Sequence, residues 1–302
     1  MKVDWTGPKA VRCNWCDASL DGGAERFGRT DCPTCGSATT DPVPDTKSLE
    51  EAYGEWYWPS TGGRFGRVGD ALLRRSRASM AKRIDEVAPD GPVLDIGAGE
   101  GYLIDALARR GRAAEGIDRE SSHPRVRRQE LEELDGGFAA IVLWHALEHL
   151  PDPRATISAA AARLKPGGVI VIAVPNYGSL QARTFGDRWL HLDLPRHLTH
   201  LRADALEAGL ARAGLTPTAR SGLRAGQLVI GWLQGLVGLL PGRPDLYQSL
   251  RRRSARRIEI GPGKRLLTVT AGVFAFPAAV ACALVEQVRK RPGTIYVEAR
   301  NV

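Results

Sequence analysis

Four cysteines near the start of the chain form two close pairs that could bind a metal ion. Cys13 and Cys16 make one C-x2-C pair, and Cys32 and Cys35 make a second pair after a gap of 15 residues. Each pair directs two thiolates toward a single ion, and four thiolates complete a tetrahedral zinc site. Because no coordination position stays open, the spacing predicts a structural zinc ribbon, with two reactive dithiols as the alternative.

A second set of chemically capable side chains lies in the middle of the chain. His145, Glu148 and His149 follow an apolar segment and match the H-x-x-E-H pattern of inverted zinc proteases. That chemistry needs the pattern within a long helix, but Pro151 and Pro153 follow almost at once. We therefore expect His145 to meet a cofactor or substrate, with His149 as a further candidate. The alternative for each is a structural hydrogen bond at the end of a strand.

Further histidines and an arginine are concentrated in residues 189–201. Arg196 could bind an anionic substrate group through two parallel hydrogen bonds. His197 is our first candidate for a general base, because the ordinary pKa of histidine lies near working pH. His191, His197 and His200 together are an alternative metal site.

Three glycines at alternate positions, Gly97, Gly99 and Gly101, follow an apolar run and precede a segment with helical apolar spacing. This order predicts a strand, a tight turn and a helix whose free N–H groups face a ligand. A second apolar run ends in Asp118, where a doubly wound fold presents a carboxylate to a ribose. The spacing is G-x-G-x-G, whereas dinucleotide folds use G-x-G-x-x-G to bind a pyrophosphate. The alternative is that the glycines serve packing alone.

With Asp95 before it, the glycine run resembles the first motif of class I S-adenosylmethionine-dependent methyltransferases. The resemblance implies that the glycines pass the methionine part of the cofactor and that Asp95 helps to hold its amino group. It also implies that Asp118 binds the ribose hydroxyls and that Glu130 approaches the adenine. Trp144 and His145 end the fourth strand, where this family binds its cofactor.

Two further motifs resemble particular branches of that family. Residues 147–153 read LEHLPDP, a signature similar to that of small-molecule methyltransferases, among them the ubiquinone and menaquinone biosynthesis type. Residues 193–200 fit D-x-P-R-H-L-x-H, an element of the branch often found beside glycan and lipid genes. The resemblance implies methyl transfer from S-adenosylmethionine to an oxygen, nitrogen or carbon atom of a small-molecule, sugar or lipid-linked acceptor.

These motifs imply an α/β fold with a Rossmann-like, doubly wound sheet of seven strands, of which the last is antiparallel. An aromatic-rich stretch near residues 53–58 either covers the site or docks the ribbon onto the core. The predicted segments are a zinc ribbon and linker (1–45), a helical lid or linker (46–91), the methyltransferase core (92–222), a helical insertion (223–291) and the final strand (292–302).

The insertion combines an apolar stretch at 225–240, a basic stretch at 243–265 and twenty uncharged residues at 266–285. That last length could span a bilayer, but a single span would leave the final strand on the wrong side. Two spans would place the basic loop outside, against the positive-inside rule. Two hypotheses stay open, namely a hairpin lying at a membrane interface and an ordinary buried helical pair.

Composition limits the alternatives without choosing among them. The chain has 302 residues, 43% hydrophobic and 25% charged, which is typical of a globular protein, and a net charge of +8. The positive charge suits an anionic partner such as a membrane surface, an acidic substrate or nucleic acid. Residues 1–8 lack the apolar core of a signal peptide, so we expect a cytoplasmic protein, either free or associated with a membrane surface.

Two other functions compete with this interpretation. Some ribosomal RNA methyltransferases also join a four-cysteine ribbon to this fold, and the basic charge would suit phosphates. The fourth strand, however, ends in Trp144 and His145 and not in the N-P-P-Y type of loop found in many base N-methylating enzymes. A non-catalytic module that binds a partner through the ribbon is the second alternative.

Overall fold

The structure is a computed structural model that describes residues 3–54, 65–221 and 225–302. Its strands, in chain order, are β1 (Glu25–Arg26), β2 (Arg29–Asp31), β3 (Ala38–Thr40), β4 (Val93–Ile96), β5 (Ala114–Ile117), β6 (Val126–Arg127), β7 (Phe138–Trp144), β8 (Leu164–Pro175), β9 (Thr199–His200), β10 (Leu215–Ser221) and β11 (Thr294–Asn301). The α-helices are α1 (Thr46–Ala52), α2 (Arg67–Val87), α3 (Tyr102–Ala108), α4 (Pro153–Arg163), α5 (Leu180–Phe185), α6 (Ala203–Arg212), α7 (Ala225–Val237), α8 (Leu246–Leu250) and α9 (Pro262–Val288).

The larger of two sheets has seven strands in the order β10-β11-β8-β7-β4-β5-β6. Strands β4 to β8 pair in parallel, whereas β11 lies antiparallel to both β8 and β10. This topology confirms the predicted α/β fold with an antiparallel last strand. Strand order reverses between β4 and β7, and open parallel sheets bind ligands at the carboxyl ends of the strands at such a point.

The central strand β7 shows why these residues form a covered sheet. All seven of its residues are buried, because helices lie on both faces. Successive side chains point to opposite faces, so Ile141 packs in one apolar core with Leu206 of α6. Its neighbour Val142 packs in a second core with Met80 of α2. The two cores fix the height at which β7 ends and therefore the position of the residues that follow it.

The smaller sheet joins the cysteine-containing segment to the core. Its order is β1-β2-β3-β9, and β9 comes from the histidine-rich segment far along the chain. Ala38 pairs with His200, and Thr39 pairs with Thr199. The buried Trp15 indole also donates a hydrogen bond of 2.7 Å to the carbonyl of Ala205 at the start of α6. The ribbon is thus completed by a strand of the core.

The four predicted metal ligands converge. The sulfur atoms of Cys13, Cys16, Cys32 and Cys35 all lie within 4.8 Å of one another. Two of the sulfur pairs are 3.7 Å and 3.5 Å apart. A tetrahedral zinc site with Zn–S bonds of about 2.3 Å has S···S edges of about 3.8 Å, so the residues fit zinc.

The insertion forms a helical layer against the core. Helix α7 packs along α9, and the indole of Trp232 on α7 donates a 3.0 Å hydrogen bond to the buried carboxylate of Glu286 on α9. The basic segment reaches α2, where Arg252 pairs with Asp70 at 3.1 Å. Helix α9 is long and apolar enough to cross a membrane by length and composition.

Most of the predicted aromatic lid, including Trp56, lies outside the described residues.

We expect Cys32→Ser to lose the bound metal, because three thiolates and a hydroxyl hold zinc less tightly than four thiolates. The parent protein should contain one zinc per chain by elemental mass spectrometry. Because β3 pairs with β9, the unfolding temperature should fall by about 5 °C or more, equivalent to about 2 kcal/mol.

Cys282→Ser, at the cysteine outside this cluster, is the matched control and should keep both the metal and the unfolding temperature. A parent protein that carries disulfides between these cysteines in place of zinc would contradict the assignment.

Candidate active site

The glycine turn lies between the end of β4 and the start of α3. Gly97, Gly99 and Gly101 all have positive φ angles, of 77°, 53° and 70°. A Cβ at Gly97 would lie 2.6 Å from the Cβ of Ala146, so this glycine also permits a close contact. A Cβ at Gly99 would meet nothing within 4 Å, so the space beside this residue is open to a ligand.

Two acids from neighbouring strands face this turn. A carboxylate oxygen of Asp118, just after β5, accepts a hydrogen bond of 2.8 Å from the backbone N–H of Gly99. Asp95 on β4 is buried, and that burial, with the charge of Asp118, raises its pKa to about 7 against the opposing charge of Arg77. A cationic ligand group would favour the ionised form of this pair. Both acids therefore lie where the sequence predicts a cofactor.

A histidine–glutamate pair follows the end of β7. The Nδ1 atom of His145 lies 3.2 Å from a carboxylate oxygen of Glu148, and its Nε2 atom lies 3.0 Å from the amide nitrogen of Gln227 on α7. The amide nitrogen can only donate, so these contacts assign the ring proton to Nδ1 and leave Nε2 as an acceptor. His145 also has a positive φ of 52°, and Ala146 abuts the glycine turn at Gly97.

Glu148 is buried as a carboxylate at the centre of the site. Burial would raise its pKa, but the hydrogen bond and the charge of His145, with the charge of His149, lower the pKa below the ordinary value. Its second oxygen is buried without a hydrogen-bond partner in the part of the chain that the structure describes. An unsatisfied buried carboxylate oxygen is costly, and such groups concentrate at functional sites.

Arg196 and His197 of the D-x-P-R-H-L-x-H element make side-chain hydrogen bonds within their own segment. Arg196 donates to both carboxylate oxygens of Asp193, at 2.5 and 2.6 Å. Although burial would raise it, the charges of Arg196 and His197 hold the pKa of Asp193 at about 2. The Nδ1–H group of His197 donates a hydrogen bond of 2.9 Å to the carbonyl of His191. Arg196 is thus an ion-pair partner of Asp193 here, and anion binding by Arg196 stays a prediction.

His200 connects this element to the ribbon. The Thr40 hydroxyl donates to the carbonyl of His197 at 2.5 Å and lies 3.1 Å from Nε2 of His200. Since that hydroxyl proton is already used, His200 donates its own proton to the threonine oxygen. His200 is therefore positioned for a structural contact between β3 and β9.

The predicted trio of histidines does not converge as a metal site in the described residues. The group that does converge there, besides the cysteines, is Glu148, His149 and His197, whose ligand atoms lie within 4.8 Å of one another. The H-x-x-E-H residues lie in a strand end and the short turn Leu147–His149, not in a long helix.

Glu130 lies exposed beyond the two-residue edge strand β6. The adenine contact predicted for Glu130 stays a prediction. Trp144 ends β7 with its ring buried, and the Arg77 guanidinium lies 4.9 Å from the ring centre.

Three side-chain contacts at the site were not predicted. Gln227 contacts His145, and the signal in the sequence is that it is one of two glutamines in an otherwise apolar helix. The Tyr53 hydroxyl lies 3.0 Å from Nδ1 of His149. The ring of His191 stacks on His145, with centres 6.2 Å apart and an interplanar angle of 16°.

Burial keeps these histidines neutral, which makes the stability of the fold depend on pH. Burial lowers the pKa of His200 to about 3 and that of His191 to about 4, both against an ordinary value of 6.5. A lowered folded-state pKa means that the unfolded chain binds more protons below pH 6.5, so stability falls as the pH falls from 6.5 toward 4. His200 alone should cost about 2 kcal/mol between pH 7 and pH 5.

His200→Gln tests this contribution, because the glutamine amide can still donate to Thr40 but does not titrate. We expect the free energy of unfolding by guanidinium to fall by about 2 kcal/mol less in the variant between pH 7 and pH 5. Asp95, with its raised pKa, contributes with the opposite sign in parent and variant alike, so the difference isolates His200. Identical pH dependence in the two proteins would refute a buried neutral His200.

Comparisons with known proteins agree with this geometry. Residues 70–219 match the family described as "Methyltransferase domain". The ubiquinone biosynthesis O-methyltransferase of Xanthomonas campestris is 36% identical over 117 residues, covering 31% of this chain and 49% of that protein. Its counterpart in Xylella fastidiosa is 33% identical over 157 residues, covering 44% and 63%. The chain thus spans about half the length of the first of these curated relatives.

Among solved structures, a magnesium protoporphyrin IX methyltransferase from Synechocystis with bound S-adenosylhomocysteine matches with a TM-score of 0.44 and 16% identity. That match covers 59% of this chain and 92% of the other. The residues that match the methyltransferase family, 70–219, contain the glycine turn, both acids and the end of β7. Residues 70–219 therefore form a class I S-adenosylmethionine-dependent methyltransferase domain.

Proposed function

We propose that this protein transfers the methyl group of S-adenosylmethionine to a hydroxyl oxygen of a small, largely apolar acceptor. The observation that carries the proposal is the close approach of Ala146, the residue after His145, to Gly97 of the glycine turn. The cofactor supplies an electrophilic methyl group when it is bound. Asp95, Asp118 and the open side of Gly99 are the groups that would hold it.

The proposal assigns the general base to His145 and not to our first candidate, His197. The Nε2 atom of His145 is an acceptor on a ring whose side chain is 21% exposed, whereas the side chain of His197 is 8% exposed. An acceptor hydroxyl that takes the place of the Gln227 amide at Nε2 would transfer its proton to that atom, and the carboxylate of Glu148 would stabilise the resulting imidazolium through Nδ1. Burial lowers the pKa of His197 well below 6.5, which makes it a weak base.

An apolar acceptor is favoured by the wall on the α7 side of the site. A cluster of buried residues there includes Trp189, Leu192, Leu228 and Trp232. Trp189 packs edge-on against His191, with ring centres 5.6 Å apart. Apolar walls with a few polar groups are typical of small-molecule sites. The relatives named as ubiquinone biosynthesis O-methyltransferases favour an oxygen atom as the methyl acceptor.

The first test is calorimetric titration with S-adenosylmethionine and, separately, with NAD. We expect micromolar binding of the methyl donor and none of NAD. Gly99→Val should weaken donor binding at least about tenfold, equivalent to about 1.4 kcal/mol, because its side chain enters the open space at a positive φ.

Gly111→Val is the matched control, since Gly111 also has a positive φ and open space but lies beyond the far end of α3. It should bind the donor like the parent. Absence of donor binding by the folded parent would refute the enzyme and leave a binding module as the better hypothesis.

The second test measures transfer of a labelled methyl group to catechols that carry alkyl tails. His145→Asn and Glu148→Gln should each lower kcat by about 10²- to 10⁴-fold with little change in donor affinity, because they remove proton transfer and its charge stabilisation. The control is Glu207→Gln on α6, which removes a carboxylate that pairs with Arg220. The kcat of this variant should be close to that of the parent.

If His145→Asn keeps the kcat of the parent and His197→Asn loses activity, His197 is the general base. Methylation of RNA but of no catechol would favour the ribosomal alternative.

A further inference from the structure

The outer face of α9 is a continuous apolar surface. Its exposed residues recur at helical spacing, and the side chains of Leu267, Phe274 and Val288 are 73%, 81% and 82% exposed. The exposed large apolar residues of this helix are Leu266, Leu267, Val273, Phe274, Phe276, Leu284, Val285 and Val288. We call this set the α9 face. Soluble proteins rarely expose a contiguous apolar patch of this kind unless it binds something.

The opposite side of the same helix is already used. Thr268, Gly272, Ala279, Ala283 and Glu286 are its buried residues, and they face the rest of the insertion. Gly272 fits against Leu246 of α8, where an added Cβ would lie 3.1 Å from the leucine methyl groups. Burial of one side by the insertion and exposure of the other distinguish α9 from a core helix.

Positive charge borders the α9 face at both ends. The segment 243–265, which leads into the helix, holds eight arginines and lysines against two acids. Exposed Arg289, Lys290 and Arg291 follow its last turn. Between them, residues 266–285 carry no charge. An apolar strip bordered by basic residues complements a membrane with anionic head groups.

The topology argues against a helix α9 that crosses a membrane. Strand β11 begins at Thr294, six residues after α9 ends, and lies between β8 and β10 of the core sheet. At its other end, the insertion starts from β10, the neighbour of β11. Helix α7 has 13 residues, about 20 Å, which is too short to return across a hydrocarbon core of about 30 Å.

We infer that the α9 face docks onto the surface of an anionic phospholipid bilayer. The apolar residues enter the boundary between head groups and acyl chains, and the basic residues at both ends contact lipid phosphates. Helix α7 lies between this surface and the candidate active site, with Gln227 at His145 and Trp232 at α9. An acceptor dissolved in the bilayer would then approach the site beside α7, a consequence that rests on the proposed function.

The test is flotation of the full-length protein with vesicles of phosphatidylglycerol and phosphatidylcholine, without substrate. We expect the protein to float with mixed vesicles. It should float less with pure phosphatidylcholine, which lacks the anionic lipid, and in about 0.5 M salt, because salt screens the charge attraction. Phe274→Glu should lower the bound fraction at least tenfold at limiting lipid. Val11→Glu, at an exposed valine of the ribbon, is the matched control and should bind like the parent.

Calorimetric titration with S-adenosylmethionine on the same preparations separates the two proposals. Phe274→Glu should bind the donor like the parent, so that loss of vesicle binding is not loss of the fold. A parent that binds the donor but floats with no vesicle would overturn the membrane inference alone. Absence of flotation together with a dimer that Phe274→Glu dissociates would show that a second copy covers the α9 face.

Discussion

The pairing of β3 with β9 is the constraint on which the candidate site depends. Through it, the ribbon holds the segment that contains Arg196 and His197 against the turn after β7. The backbone N–H of Leu198 donates to the carbonyl of Glu148 at 2.8 Å, and that of Thr40 donates to the carbonyl of Leu198 at 3.0 Å. One short stretch thus bonds to the ribbon on one side and to the site on the other. A bound metal would act on the site by fixing the ribbon side of this contact.

The same packing determines the protonation states within the site. Four histidines lie close to Glu148 and Asp193, and burial holds the histidine pKa values below their ordinary range. The two acids keep lowered pKa values because His145 donates a hydrogen bond to Glu148, and Arg196 supplies hydrogen bonds and positive charge to Asp193. The result is a site of neutral rings around ionised carboxylates, which can accept a proton without first releasing one. Such a state needs the dry environment that the ribbon and α7 provide together.

The insertion gives the domain two surfaces with different tasks. Its inner surface supplies Gln227 and the apolar wall, while its outer surface presents the α9 face. The buried carboxylate of Glu286 joins the helices of the insertion to α5, because it accepts hydrogen bonds from both Trp232 and Gln181. Burial raises the pKa of Glu286, and these bonds oppose the rise. The position of α7 over His145 therefore depends on a polar contact within an otherwise apolar layer.

The sequence by itself determined the features that depend on short spacings. The two cysteine pairs and the glycine turn with Asp95 and Asp118 are readable because each is a local pattern. The antiparallel direction of the final strand followed from the family resemblance. The uncharged stretch at residues 266–285 was also visible in the sequence. The sequence did not show which of its side chains are buried. The sequence could not distinguish a buried pair of helices from a helical hairpin at a membrane interface, since both need the same composition.

Only the tertiary structure decided which residues meet. Gln227 reaches His145 across 82 positions, Tyr53 reaches His149 across 96, and Thr40 reaches His200 across 160. No periodicity records contacts of that range, because they arise from how the sheets and the insertion pack. The same packing turned Arg196 toward Asp193 and buried His197, and it left the side chain of His145 partly exposed. Residue type and spacing defined the candidates, and burial with long-range hydrogen bonding ranked them.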